Sequence, residues 1–289
     1  MLPNEVAEKI KNFEIQGSEI SRYAIESFRN FCKGHNLKDI EKAKEILCSA
    51  KKSDAVMRNC LNFVMENLKN SKQNLNNLNI LNKCLDEFLD YKNKAEKELF
   101  KIDFIPQNAK ILTHCYSKTV IEILKNAKNS RKNFTVINTE TRPNRTGRMT
   151  SKEISMSGIK NIHVTDSAVA CFMKEVNFVL IGCDAIDEYG ILNKTGTLNI
   201  AIIAKFYNKQ VYVAAPSVKF YKNKLSEIKE LRKKEEIWEE NKNLNVEIEN
   251  IAYDFVAQEL ISKVISEFGI LGFDETIEKF KEVKFCRWV

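Results

Sequence analysis

Apolar positions divide the chain into two parts with different periodicities. Over residues 1–102 they recur at spacings of three and four, as at Val6, Ile10 and Phe13, which is typical of amphipathic helices. The spacing predicts helices over 37–47, over 54–68 with Ser53 as N-cap, and within 71–99. A glycine within residues 16–18 interrupts the first pattern. No convincing strand pattern occurs here, so this part is predicted to be a helical bundle that packs on another layer.

Beyond Pro106, short apolar runs alternate with amphipathic segments, as expected for parallel strands covered by helices on both faces. The pattern predicts strands at 109–115, 134–141, 161–166, 178–184 and 210–216, with helices at 117–130, 150–157, 167–174 and 196–207. Further on, it predicts a charged helix over 224–238, a strand around 246–248 and a helix over 257–267. The predicted fold class is α/β: a helical N-terminal domain (1–105) followed by a Rossmann-like, doubly wound parallel sheet domain (106–289).

Bulk composition is that of an ordinary globular protein, with 29% charged and 44% hydrophobic residues. The net charge of +7 suits phosphorylated small molecules or weak nucleic-acid contact, although a lysine-rich composition alone gives the same balance. No apolar run approaches the roughly 20 residues that span a bilayer, and the first residues are polar rather than signal-like. We therefore expect a cytoplasmic protein without a membrane partner. We expect no nucleic-acid partner either.

Cysteine usage argues against a structural metal. The eight cysteines are scattered singly and only three histidines occur, whereas a zinc site needs clustered ligands. In a chain without an export signal, the cysteines are expected to be reduced thiols, most of them small core residues. We expect no cofactor.

Two reactive side chains follow buried strands. Cys115 ends the first predicted strand and Asp184 ends the fourth, and ligands bind at the carboxyl ends of parallel strands. A following helix N-terminus would lower the pKa of the Cys115 thiol, while desolvation would raise that of the Asp184 carboxyl. Such a pair is a candidate base and acid. The same positions also suit a buried structural thiol and a helix cap.

Cationic and hydroxyl side chains accompany this pair at the strand ends. Asn193 and Lys194 precede a helix whose backbone N–H groups, together with the lysine, would bind phosphate, unless the segment is an ordinary helix cap. Arg142 can hold phosphate bidentately or brace the sheet edge. Ser117 and Lys118 follow the first predicted strand, as Cys115 does, and Lys219 follows the fifth, so one edge gathers an acid, a base and several cations.

These motifs resemble a known superfamily. The matching stretches are "ILTHCYSKTV", "TETRPNRTG" with "TSKE", "VTDSA", "GCDAIDEYGILNKTGT", "YVAAPSVKF" and "NIAYDF". The superfamily holds methylthioribose-1-phosphate isomerases, archaeal ribose-1,5-bisphosphate isomerases and the alpha, beta and delta regulatory subunits of the translation-initiation guanine-nucleotide exchange factor. "HCYSK" and "SVKF" look most like the ribose-1,5-bisphosphate isomerases. The resemblance implies an intramolecular oxidoreductase, a sugar-phosphate aldose–ketose isomerase, that assembles as a homodimer or homohexamer.

Residue roles follow from the same resemblance. It implies Cys115 as proton acceptor and Asp184 as proton donor, with a phosphorylated sugar bound by Ser117, Lys118, Thr119, Asn193, Lys194 and Lys219. Two elements depart from the family pattern. Gln16, Gly17, Ser18 and Glu19 stand where isomerases carry Arg-Gly-Ala-Gly, and Ala50, Lys51, Lys52 and Ser53 stand where they carry Ala-Arg-Pro-Thr. Lys51 supplies a point charge and not a bidentate fork. The alternatives are a methylthioribose-1-phosphate isomerase and a non-catalytic regulatory subunit.

Overall fold

The computed structural model describes residues 1–15, 17, 19–70, 77–239 and 245–286. Its α-helices are α1 (Pro3–Lys11), α2 (Glu19–Phe31), α3 (Leu37–Ala50), α4 (Ala55–Asn70), α5 (Asn77–Phe100), α6 (Lys118–Asn129), α7 (Gly147–Met156), α8 (Val169–Met173), α9 (Thr197–Phe206) and α10 (Phe273–Glu282). Its strands are β1 (Lys110–Thr113), β2 (Thr135–Thr139), β3 (Lys160–Val164), β4 (Phe178–Gly182), β5 (Ala185–Ile186), β6 (Gly190–Lys194), β7 (Gln210–Ala214), β8 (Tyr253–Ala257), β9 (Lys263–Ser266) and β10 (Gly269–Leu271).

Helices α1 to α5 form the predicted helical layer. Helix α1 ends at Lys11 and α2 begins at Glu19; within the break predicted at residues 16–18, Gln16 and Ser18 lie outside the described residues, as do 71–76 of the helix predicted within 71–99. The predicted Ser53 cap of α4 is wrong. The carboxylate of Asp54 accepts the Met57 backbone N–H at 2.8 Å and caps the helix, while Ser53 donates its own N–H to Glu230.

The central sheet has the order β10-β9-β7-β4-β1-β2-β3, parallel except for the antiparallel pair of β9 and β10. The chain runs outward from β1 through β2 to β3, and then returns to the other side of β1 with β4. That reversal is the point at which doubly wound sheets open a crevice for ligands. The α/β prediction, with a helical part before a mostly parallel sheet, is confirmed.

A second, antiparallel sheet of β5, β6 and β8 was not predicted. It begins directly after Asp184 and aligns Asn193 with Asp254 and Lys194 with Tyr253. A Cβ at Gly190 would lie 2.2 Å from the carbonyl oxygen of Val256, so glycine is required for this close pairing. The small sheet therefore places Lys194 beside the carboxyl end of β4.

Three C-terminal predictions are wrong. Residues 224–238 form irregular chain with 3-10 turns at Leu225–Glu227 and Lys234–Glu236, because part of this backbone pairs with residues 250–252 and not within a helix: Arg232 donates its N–H to the Asn250 carbonyl at 2.8 Å. Residues 246–248 are irregular. The stretch 257–267 contains a 3-10 turn and β9, whose adjacent Val264 and Ile265 are both buried. A short apolar run that is buried on both faces has no periodicity that would distinguish a strand from a helix.

The helical layer and one face of the central sheet share a single apolar core that includes Phe88, Leu112, Ile181 and Phe285. The ring of Phe285, just beyond α10, packs against those of Phe63 and Phe88, with centroids 4.8 and 5.3 Å away. The C-terminal segment thereby fastens the helical layer to the sheet.

Candidate active site

Cys115 and Asp184 follow the two strands that flank the reversal point. Strands β1 and β4 are parallel neighbours, with Ile111 opposite Phe178 and Leu112 opposite Val179. Adjacent strands lie about 4.8 Å apart, so the residues after them share one crevice. Both residues keep part of their surface accessible. The sequence placed them at one edge, and the structure brings them together there.

Three threonines hold Cys115 in place. Its backbone N–H donates to the Thr141 hydroxyl at 3.0 Å, its carbonyl accepts from the Thr150 hydroxyl at 2.7 Å, and its thiol lies 3.5 Å from Thr146 Oγ1. The residue adopts φ 65°, a left-handed conformation that costs a non-glycine residue of order 1–3 kcal/mol. The two backbone hydrogen bonds offset this cost. Together they fix where the sulfur points.

The expected fall in the Cys115 pKa is wrong: burial raises it, and the negative charge of Asp184 adds to that rise. The Thr146 hydroxyl, the Tyr116 backbone N–H and the Lys194 ammonium pull the pKa the other way. Helix α6 begins at Lys118, and Ser117 Oγ already accepts from the Val120 N–H of its first turn. Desolvation by the packed crevice therefore outweighs the helix terminus.

The pKa of Asp184 is raised by burial, as expected. The ammonium groups of Lys51, Lys219 and Lys194 oppose the rise, and the negative charge of Glu230 adds to it. The Asp184 backbone N–H donates to the Leu192 carbonyl at 2.8 Å, which fixes the residue at the start of the small sheet. A carboxyl of this kind keeps its proton to a higher pH than a solvated aspartate.

Lys194 supplies a buried cation at the crevice. Its residue is 5% exposed, and its Nζ has no hydrogen-bond partner among the described residues. Burial lowers its pKa, whereas the negative charges of Cys115, Glu236 and Asp184 raise it. A buried, unpaired ammonium is costly, so this position favours an anion from outside the chain.

Two other lysines of the sequence prediction line the same crevice. Lys219 donates to the Cys183 carbonyl at 2.6 Å, directly before Asp184. Lys51 donates to the hydroxyl of Tyr253 and lies 3.1 Å from a carboxylate oxygen of Glu230. Burial lowers the pKa of Lys51, but Tyr253, Asp184 and Glu230 raise it well above its ordinary value. Both lysines therefore bring positive charge to Asp184.

The predicted phosphate site at the start of α9 is only partly present. Asp254, opposite Asn193 in the small sheet, accepts the backbone N–H groups of Gly196 at 2.7 Å and Leu198 at 3.0 Å. These amides are therefore already occupied by a carboxylate. The Asn193 side chain donates to the Thr197 hydroxyl at 3.0 Å, so it braces the turn. Within the stretch Asn193–Thr197, the Lys194 ammonium is the group that lacks a hydrogen-bond partner among the described residues.

The residues after β1 lie at the start of α6. The Ser117 side chain fits closely against Gly182, where a Cβ would lie 2.4 Å from Ser117 Oγ. Thr119 is buried. Lys118 is exposed, with its Nζ 4.0 Å from a carboxylate oxygen of Glu19, which also pairs with Arg22. The first residues of α2 therefore lie close to this side of the crevice.

Arg142 and the α1–α2 junction are placed less centrally. The exposed Arg142 guanidinium donates to the Pro143 carbonyl at 3.3 Å, and its backbone N–H donates to Asp166 at 2.7 Å. Gly17 adopts φ 57° and accepts the Ile20 N–H at 3.2 Å. Gln16 and Ser18 lie outside the described residues.

Sequence reasoning missed five contributors: Thr146, Thr150, Glu230, Tyr253 and Asp254. The two threonines belong to the quoted stretch "TETRPNRTG" and its continuation, where hydroxyls recur, and that was the available signal. Tyr253 and Asp254 belong to the quoted stretch "NIAYDF" but reach the crevice through the unpredicted small sheet, and Glu230 reaches it through the irregular segment that precedes β8. Their roles depend on contacts distant in sequence.

The described residues contain no cluster of three or more His, Cys, Asp or Glu side chains able to hold a metal ion. Within the same ranges, no helix combines the length and apolar character that crossing a membrane requires.

Comparisons with known proteins agree with the motif resemblance. The model of the initiation factor 2 subunit family matches residues 10–272. A ribose 1,5-bisphosphate isomerase from Thermococcus kodakarensis is 34% identical over 290 residues, which cover 92% of this chain and 90% of that protein. A solved translation initiation factor eIF-2B from Pyrococcus horikoshii superposes with a TM-score of 0.81 at 26% identity, over 94% of this chain and 98% of its own.

A 5-methylthioribose 1-phosphate isomerase from the same Pyrococcus species shares the fold, with a TM-score of 0.73 at 21% identity over 98% of this chain and 88% of its own. The family model and the shared fold each cover most of the chain. The protein belongs to the initiation factor 2 subunit family.

Proposed function

We propose that this chain is an aldose–ketose isomerase that converts ribose 1,5-bisphosphate to ribulose 1,5-bisphosphate. The observation that carries the proposal is the unpaired, buried ammonium of Lys194, whose pKa responds to both Cys115 and Asp184. An anionic substrate bound there satisfies the ammonium while it faces a thiol and a carboxyl. The isomerases of this name among the relatives support the choice of sugar.

The reaction needs one acid and one base. The protonated Asp184 carboxyl donates its proton to the ring oxygen as the bond from C1 to that oxygen breaks. The Cys115 thiolate then removes the proton from C2. The electron pair of the broken C2–H bond forms the C1–C2 double bond of an enol. Cys115 returns the proton to C1 while Asp184 takes the proton of the C2 hydroxyl. C2 becomes a carbonyl, and both side chains regain their starting forms.

The cations of the crevice stabilise the charges of this sequence. Lys194, Lys51 and Lys219 would bind phosphate and favour the ionised form of Asp184 once it has given up its proton. We retain the remaining sequence candidates as further substrate contacts: Gln16, Gly17, Ser18, Ser117, Lys118, Thr119, Arg142 and Asn193.

Ketose formation tests the proposal directly. Purified protein is incubated with ribose 1,5-bisphosphate or with 5-methylthioribose 1-phosphate, and the ketose product is measured over time. We expect turnover of the bisphosphate and little of the methylthio sugar. Turnover of the methylthio sugar alone would reassign the substrate, and no ketose from either would refute an isomerase.

A binding-only regulatory subunit is the second candidate, favoured by the similarity to the Pyrococcus horikoshii initiation factor. It predicts sugar-phosphate binding without ketose formation and capture of an initiation factor in a pull-down. The paired Cys115 and Asp184 argue for catalysis, since binding alone needs neither.

The pH dependence of turnover should report the Thr146–Cys115 contact. A hydroxyl that donates to a thiolate favours the charged form, so its removal raises the thiol pKa further. For Thr146→Val we expect the limb of the kcat/KM profile that belongs to Cys115 to move about 1 pH unit higher, the size expected for one hydrogen bond to a charged group. The other limb should stay in place.

Thr146→Ser is the matched control, because it keeps the hydroxyl and loses only a methyl group. Its profile should follow the unchanged protein. Equal displacement of the limb in both variants, or displacement in neither, would show that the hydroxyl does not act on the thiol.

The proposal includes self-association and a cytoplasmic location. Helices α7 and α9 present exposed apolar side chains, namely Met149, Met156, Ile202 and Phe206, in keeping with a homodimer or homohexamer. The eight cysteines are free thiols, in keeping with a reducing compartment. Sedimentation velocity on the purified chain tests the first point.

A further inference from the structure

The carboxylate of Glu230 occupies a group of hydrogen-bond donors beside Asp184. One oxygen accepts the backbone N–H of Ser53 at 2.8 Å, and the other lies 3.1 Å from the Lys51 ammonium. The pKa of Asp184 responds to the charges of both Lys51 and Glu230. A side chain of this protein therefore supplies an anion at the edge of the candidate active site.

The donors around Glu230 suit a phosphate better than a carboxylate. The Ser53 hydroxyl is fully buried and has no hydrogen-bond partner among the described residues. An ammonium, a backbone N–H and a hydroxyl, just before the first turn of α4, are the groups that bind phosphate oxygens at helix N-termini. Glu230 satisfies the first two and leaves the third unused.

Glu230 belongs to an irregular segment, residues 222–239, which we call the strap. Leu225 is buried and anchors one part, while the Glu230 carbonyl accepts the Ala252 N–H at 2.9 Å. Past Glu230, Arg232 pairs with Glu236 at 2.7 Å, and the charges of both affect the pKa of Lys194. The strap thus borders both the Lys51 and the Lys194 sides of the crevice.

Open space adjoins the strap next to this contact. A surface cavity of about 620 Å³ is lined by Lys52 and Tyr221 and by Asn223, Lys224, Glu227, Ile228 and Lys229 of the strap. Lys52 and Lys229 of this lining are the chain neighbours of Lys51 and Glu230, so the cavity lies close to the contact between them.

We propose that Glu230 is an internal competitor for phosphate: it fills the subsite of Lys51 and Ser53, and a phosphate group must displace it to bind. A phosphate dianion brings more charge and an acceptor for the idle Ser53 hydroxyl, so it can displace a carboxylate where weaker anions cannot. The strap would thereby select for phosphorylated ligands. This inference rests on the proposed function for its substrate, but the competition itself requires no turnover.

Calorimetric titration of the full-length chain with inorganic phosphate tests the competition. Glu230→Gln keeps the size of the side chain and removes its charge, so the bound phosphate no longer meets a competing anion. We expect phosphate to bind at least about tenfold more tightly than to the unchanged protein, since like-charge juxtaposition is strongly unfavourable at binding sites. Glu227→Gln removes the same charge from the cavity side of the strap and should leave the affinity unchanged.

Equal affinities in Glu230→Gln and the unchanged protein would overturn the proposal. Equal tightening in both variants would do so too, because it would assign the phosphate to the lysine-rich outer cavity. If Glu230→Gln does not fold, Glu230→Asp serves instead: it keeps the charge but draws the carboxylate back by one methylene. That variant should bind phosphate about threefold more tightly, and unchanged affinity would again overturn the proposal.

The binding and turnover assays separate the two proposals. Tighter phosphate binding by Glu230→Gln in a protein that makes no ketose would support the competitor role and refute the isomerase. Ketose formation with unchanged phosphate affinity in that variant would do the reverse.

Discussion

Replacement of Cys115 by serine is expected to lower kcat by about 10²–10⁴-fold, the usual contribution of a positioned general base. The serine hydroxyl is a far weaker acid than a thiol, so at neutral pH almost none of it is available as the anion that removes the C2 proton. Serine keeps the backbone N–H donated to Thr141 and the carbonyl that accepts from Thr150. The fold and the substrate contacts should therefore survive, and the loss should fall on kcat rather than on KM.

Initial rates of ketose formation at saturating substrate measure this effect, with thermal unfolding as a check on the fold. Cys171→Ser is the matched control, because Cys171 is an exposed thiol on α8. It should retain full activity. A kcat of the Cys115→Ser protein within about threefold of the original value would show that Cys115 is not the proton acceptor.

The location of this pair was predictable because it depends on local patterns. Strands β1 and β4 are covered on both faces, so they appear in the sequence as short continuous apolar runs, and the reactive residue directly follows each run. Parallel topology then puts both residues at one edge, whatever the details of side-chain packing. The helical part was predictable for the similar reason that its apolar positions follow the helical period.

The electrostatics of the pair were predictable only for Asp184. Asp184 ends a strongly apolar strand, which predicts that its carboxyl is desolvated, and burial does raise its pKa. For Cys115 a local rule, the helix N-terminus, pointed to a lower pKa, yet burial by segments distant in sequence raises it. The direction of a pKa shift depends on all the groups packed around the titrating atom. Many of those groups are distant in sequence, so local sequence rules do not identify them.

For a similar reason, the sequence did not show that carboxylates of the chain itself occupy hydrogen-bond donors near Cys115 and Asp184. Asp254 reaches the first turn of α9 only because β8 pairs with β6, and Glu230 reaches Lys51 only because residues 224–238 do not form the helix that their composition favours. Asp254 accepts from backbone N–H groups that the sequence assigned to phosphate, and Glu230 pairs with Lys51, which the sequence assigned to the substrate. A motif can indicate which donors gather at a site, whereas tertiary structure decides which of them are already occupied.

Replacement of Asp184 by asparagine is expected to lower kcat by about 10²–10⁴-fold, because the amide is nearly isosteric but cannot donate a proton to the ring oxygen or accept one from the C2 hydroxyl. Stability should not fall with activity. A carboxyl whose pKa is raised by burial destabilises the folded state above the ordinary aspartate pKa, where the unfolded chain ionises freely. Asparagine has no such charge to bury, so the unfolding temperature at neutral pH should stay level or rise.

Asp187→Asn is the informative contrast, since that carboxylate accepts backbone N–H groups of Tyr189, Gly190 and Leu225 and lies in the turn between β5 and β6. An amide presents one acceptor oxygen in place of two, so we expect a lower unfolding temperature with nearly normal kcat per folded molecule. Asp184→Asn should show the opposite combination, and the comparison separates a carboxyl that reacts from one that holds the chain in shape. A kcat of Asp184→Asn within about threefold of the original value would show that Asp184 does not donate the proton that opens the ring.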